Sequence, residues 1–152
     1  TEFVEIELAE PMEVEKAALA LDAALPRGIR VLAADAVDTH HAALMSQAAG
    51  ASYRVTLPYS KDVSAAVAEF NACLLYTSDA AEQTEKETIF SFDCKITPTG
   101  SMKAVDLLNA LNEQYGLALP VEMADIERLR LYRNNKNGKP IPMLNSDAVT
   151  LG

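Results

Sequence analysis

The residues best suited to chemistry lie near the C-terminal end. Arg128, Arg130 and Arg133 flank Tyr132, and Lys136 and Lys139 follow within a few residues. Alternate residues of an extended strand share a face, so Arg128, Arg130 and Tyr132 are expected on one side of a sheet. A basic stripe beside an aromatic on an open sheet face is an RNA footprint. The guanidinium groups take phosphates and the ring stacks on a base. The competing expectation is an edge strand whose charges solvate it, or pair with the acidic first half, and discourage aggregation. Arg128, Arg130, Tyr132 and Arg133 are the candidate binding residues.

The other constellations point away from catalysis. His40 and His41 are adjacent, and on a helix start adjacent side chains diverge by about 100°. Ala43, Leu44 and Met45 occupy the positions where further metal ligands would sit, so both histidines are expected to be solvated. Glu5 and Glu7 share a strand face, but no glycine-bent loop supplies the extra oxygens a cation needs. No serine lies in a G-x-S-x-G context, and no G-x-G-x-x-G or Walker A run is present. The two cysteines, Cys73 and Cys94, make neither a C-x-x-C pair nor the triplet that holds a radical SAM cluster. Catalytic residues, metal ligands and cofactors are therefore not expected. Two unpaired thiols suit a reducing compartment, which predicts a cytoplasmic location. No run approaches the ~20 apolar residues of a membrane span, so no membrane partner is expected.

Periodicity supplies the elements that must position these residues. Val4, Ile6 and Leu8 alternate with Glu5 and Glu7, the period of a strand with one wet face. Pro11 opens a helix with Val14, Ala17, Ala18, Leu21 and Leu25 on one stripe, and Pro26 and Gly28 end it. A second strand is expected over 29–34. Asp38 or Thr39 can cap a helix running to Gly50. Tyr53, Val55 and Leu57 alternate as a third strand closed by Pro58. Ser60 can cap a helix carrying Val63, Ala66, Val67, Phe70 and Leu74. Residues 77–87 are polar and acidic and read as a loop. Phe90, Phe92, Cys94 and Ile96 alternate as a fourth strand, followed by a turn at Pro98–Gly100. Ser101 can cap a helix with Val105, Leu108, Leu111 and Tyr115, stopped by Gly116. Leu129 and Leu131 mark a last strand, and the stretch from Pro140 is expected to be loose.

Amphipathic strands alternating with helices favour a sheet covered on one face over a doubly wound parallel sheet. The fold class is α+β, ferredoxin-like, with one partial and one near-complete β-α-β unit in tandem. Residues 1–50 read as the C-terminal part of a first unit. Residues 51–135 form a second unit with one strand missing, and 136–152 a loose tail.

The chain has 152 residues, 49% of them hydrophobic, so it can bury a core. Its net charge of −9 argues against nonspecific nucleic-acid binding by the whole surface. That sum hides a division: residues 1–25 carry −6, whereas residues 125–139 carry +3.

The run FVEIELAEPMEVEKAALALDAALPRGIRVLAADAV (3–37) resembles the radical-SAM-linked domain of unknown function. The resemblance continues in the strand ending at Pro58, in ITPTGS (96–101) and in IERLRLY (126–132). That family occurs C-terminal to, or encoded beside, cobalamin-binding radical SAM proteins. The resemblance implies a radical SAM protein as partner, in cis or in trans. Two departures stand out. The family's N-terminal Ser-His-Leu-Asp-like and Asn-Pro-His-Pro-like elements have no counterpart here, and Met102-Lys103-Ala104 stands where the family tends to Arg-Pro. The tract CLLYTSDAA (73–81) resembles the translation of a transposon adapter, which predicts a metagenomic fragment with a join here. Two functions follow as expectations. One is a noncatalytic accessory domain that docks on a radical SAM enzyme or positions its substrate. The other is an RNA-binding ferredoxin-like module using the basic strand.

Overall fold

The computed structural model describes residues 2–73, 78–83, 86–97, 100–101 and 103–152. Within them the chain runs α1 (Val14–Ala24), β1 (Ala33–Ala34), α2 (Leu44–Gln47), β2 (Ala48–Leu57), α3 (Ser64–Cys73) and β3 (Ser78–Gln83). It continues β4 (Thr88–Thr97), β5 (Gly100–Ser101), α4 (Ala104–Tyr115), a 3-10 turn at Val121–Met123, β6 (Asp125–Asn134), β7 (Pro140–Pro142) and β8 (Val149–Thr150). Two contact units result. One spans residues 48–141; the other combines 2–47 with 142–152.

In the first unit, Val55 and Leu57 of β2 and Phe90, Phe92 and Cys94 of β4 are buried. The register explains why. Ala51 lies opposite Cys94, Tyr53 opposite Phe92 and Val55 opposite Phe90, so one face of the strand pair is apolar. The Tyr53 and Phe92 rings stack with centroids 5.5 Å apart. Val63 and Val67 of the α3 segment, Leu107, Leu108 and Leu111 of α4, and Leu131 of β6 complete the core. Each such side chain contributes roughly 1.5–3 kcal/mol by leaving water. Thr88 is fully buried, and its hydroxyl is satisfied by donating to the Tyr59 carbonyl at 2.6 Å.

The sheet order is β3-β4-β2-β6-β7, and the β2–β4, β2–β6 and β3–β4 pairs are antiparallel. The crossover β2-α3-β3 skips over β4, and β4-α4-β6 skips over β2. This is the split β-α-β arrangement of a complete ferredoxin-like unit. The strand expected to be missing is therefore present, as β3, within the stretch read as a loop. SDAAEQ has no apolar alternation because β3 is an edge strand, bonded on one side to β4 through an irregular register. Leu74, residues 74–77 of the adapter-like tract, and Pro98 of the expected turn lie outside the described residues.

Three local expectations change. The helix foreseen up to Gly50 is only α2, because Ala48–Gly50 already pair in β2. Gly50 is a strand residue needed for close approach: a Cβ there would lie 2.8 Å from the Cys94 carbonyl oxygen. Asp62, and not Ser60, holds the entry to α3, accepting the Ser64 amide at 2.9 Å and the Ser64 hydroxyl at 2.6 Å. Ser101 belongs to β5, and α4 instead starts with the Lys103 amide donating to the Asp106 carboxylate at 3.1 Å. Gly116 ends α4 as expected, in the left-handed region at φ 63°. The loop beyond it is pinned by Asn112, whose side chain donates to the Leu119 carbonyl and accepts the Leu119 amide.

The second unit is built differently. α1 begins at Val14 with the Glu13 carbonyl accepting the Ala17 amide, and only Ala18 of its residues is buried. Asp22 accepts the Val31 amide at 2.8 Å and lies 3.6 Å from the Arg30 guanidinium, which holds the following segment against the helix. β1 pairs antiparallel with β8, and Leu151 donates to the Leu32 carbonyl. The stretch expected to be a loose tail thus carries β7 and β8. Asp35 anchors it further by accepting both the backbone and side-chain amides of Asn145. Residues 2–8, expected as a strand, join no ladder, and Val4, Ile6 and Leu8 are exposed. Period-2 alternation makes a residue strand-competent, but a ladder also needs a partner edge.

Candidate functional site

The second face of the first unit's sheet is the polar one. Opposite the apolar pairs, the β2–β4 register sets Ser52 against Asp93 and Arg54 against Ser91. On β6, Tyr132 lies opposite Gly50 and Arg130 opposite Ser52. Gly50 places no side chain beside the Tyr132 ring.

These residues make a hydrogen-bonded row across three strands. The Ser52 hydroxyl donates to the Asp93 carboxylate. It has then spent its only proton, so at 2.9 Å it accepts from the Tyr132 hydroxyl. The order is Tyr132 to Ser52 to Asp93, from β6 through β2 to β4. The phenol is held by its proton, and its oxygen lone pairs remain available as acceptors. Arg130 is exposed on the same face. Arg54 and Glu127 pair across it at 3.5 Å, both half-exposed, a contact worth at most about 1 kcal/mol.

The basic stripe does not form as expected. A register shift between Ser52 and Tyr53 leaves Leu129 unpaired, with Arg130 opposite Ser52 but Arg128 opposite Tyr53. Ser52 and Tyr53 point to opposite faces, so the bulge moves Arg128 away from Arg130 and Tyr132. Arg133, next to Tyr132, lies opposite Ala48, across a second register shift between Ala48 and Gly50. The structure thus brings together Arg130 and Tyr132 and separates Arg128 from them. Lys136 and Lys139 lie in the β6–β7 turn, where the Asn135 side chain accepts the Asn137 and Lys139 amides. Ser52 and Asp93 were not foreseen as site residues. Their only signal is the register, since Ser52 and Tyr132 are 80 positions apart.

The histidines lie in the other unit and are not both solvated. His40 is exposed and its amide donates to the Asp38 carboxylate at 2.8 Å. His41 instead contacts Glu5 at 2.5 Å. Cys94 is buried in the sheet, and burial pushes its thiol up, which makes it a poor nucleophile. Among the described residues, no group of three or more His, Cys, Asp or Glu side chains is placed to hold a metal ion. Among the same residues, no helix is long and apolar enough to cross a membrane.

The sequence pattern of a bacterial family, described as an uncharacterized protein conserved in bacteria (DUF2344), matches residues 1–123. No curated protein and no solved structure matches the chain.

Proposed function

The chain belongs to the DUF2344 family, and we propose, on the resemblance carried by residues 3–37, that it is a noncatalytic accessory domain of a radical SAM system. In this reading it acts in the cytoplasm, docks on a radical SAM protein in cis or in trans, and positions that enzyme's substrate on the polar sheet face. The supporting observation is the Tyr132–Ser52–Asp93 row. It fixes a phenol oxygen as an acceptor on a rigid sheet, with the Arg130 cation on the same face. That pairing suits a ligand carrying a donor and an anionic group a few ångströms apart. A site of this kind orients a molecule without reacting with it.

Co-purification tests the reading. The chain, expressed with a cobalamin-binding radical SAM protein, is expected to elute as a complex. Substrate turnover by that enzyme is expected to drop when Asp93→Asn and Tyr132→Phe are introduced. Absence of any association, together with unchanged turnover, refutes it.

A second reading, RNA binding, is favoured by one observation: Arg130 and Tyr132 share the polar face of a ferredoxin-like sheet. It stands second because the central-strand aromatics, Tyr53 and Phe92, stack on the helix-covered face. A tRNA gel shift across a salt series decides it. An affinity that ignores Arg130→Glu removes this reading.

A further inference from the structure

We propose that Glu5 and His41 form a protonation-dependent clasp that ties residues 2–8 to the turn at 38–41 and to the Leu44 amide. His41 Nε2 lies 2.5 Å from Glu5 Oε1, and His41 Nδ1 lies 2.5 Å from the Asp38 carbonyl oxygen. The same Glu5 oxygen accepts the Leu44 amide at 2.9 Å.

The geometry suits one protonation state best. An ionised Glu5 carboxylate accepts from the Leu44 amide and from the ring together. Both ring nitrogens of His41 therefore face acceptors. A neutral imidazole has one N–H and one lone pair, so it would aim a lone pair at an oxygen. The imidazolium, donating from both nitrogens, satisfies both partners and adds charge to the Glu5 bond.

The charged groups acting on the ring are the Glu5 carboxylate, from the 2–8 segment, and Asp38, from the histidine's own turn. The Asp38 carboxylate is itself occupied by the His40 amide. The hydrogen bond to Glu5, then that to the Asp38 carbonyl, raise the imidazole above its ordinary value against a smaller opposing effect of burial. A raised value in the folded state means the imidazolium half of the tie is fully present below about pH 6.5. It is lost as pH rises through the folded value. Opening frees a segment whose Val4, Ile6 and Leu8 are already exposed and which joins no ladder. The clasp thus makes the freedom of a strand-competent, apolar segment depend on pH.

NMR titration of the full chain tests this. The His41 ring signals are expected to titrate above the ordinary midpoint of about 6.5, and the Leu44 amide to shift with the same midpoint. In Glu5→Gln the His41 midpoint is expected to fall toward the ordinary value, and the Leu44 amide to stop titrating. A wild-type His41 midpoint at or below the ordinary value overturns the clasp. So does a Leu44 amide that ignores His41 or follows His40.

Discussion

Arg130 lies across from Ser52 and Arg128 across from Tyr53, so two arginines separated by one residue occupy opposite faces of the same sheet. A single unpaired residue, Leu129, causes this, because it breaks the two-residue repeat that would otherwise align them. The two positions therefore have different consequences. Arg130→Glu reverses charge beside the Tyr132–Ser52–Asp93 row, whereas Arg128→Glu does so on the other side. Any anionic ligand of the polar face is expected to lose at least tenfold in affinity with the first change and within threefold with the second. Isothermal titration of both variants with the same ligand measures this, and equal losses contradict the assignment of faces.

Gly50→Ala brings a Cβ to 2.8 Å from a backbone oxygen of β4, which cannot rotate away. The two central strands must then move apart. A loss of about 1–3 kcal/mol is expected, as for other overpacked sites. Thermal denaturation of the variant tests it; an unchanged midpoint shows that the strands tolerate the extra methyl.

Leu108 is buried completely in α4. Leu108→Ala leaves a cavity under the sheet and is expected to cost about 2–5 kcal/mol. The urea midpoint falls while the slope stays constant. Val105→Ala, three residues earlier on the exposed side of α4, is the control and is expected to change stability by less than about 0.5 kcal/mol.

Much of this core was legible in the sequence. The alternation of Val55 with Leu57 and of Phe90, Phe92 and Cys94 marks β2 and β4, since local pattern and burial agree there. The α4 stripe was nearly right. Leu108 and Leu111 are buried as expected, but Leu107 and Ala104 replace Val105, so the helix is turned by about one position. What could not be read is whatever depends on partners distant in sequence. β3 has no pattern of its own and exists as an edge on β4. The Leu129 bulge is a property of the β2–β6 pair. Ser52, Asp93 and Tyr132 meet only once three strands are in register. The Arg-rich strand was correctly placed, yet its faces were wrong for that reason.

Asp62 gives a pH dependence on the acid side. The Ser64 hydroxyl, then the Ser64 amide, hold its carboxyl below the ordinary value. A depressed folded value contributes stability above the unfolded value of about 3.9, and that contribution is lost as pH falls through the folded value. Asp62→Asn is expected to destabilise the protein slightly at neutral pH and to converge with wild type in acid. Urea unfolding of both proteins over a pH series measures the gap; a gap that persists in strong acid contradicts the carboxylate's role.

β7 bounds one side of the sheet, and two of its three residues, Pro140 and Pro142, have no amide hydrogen. A strand arriving at that border from another molecule finds at most one donor there, so it cannot zip along it. At β7 itself, the ring chemistry of two residues denies an incoming strand the donors of a ladder.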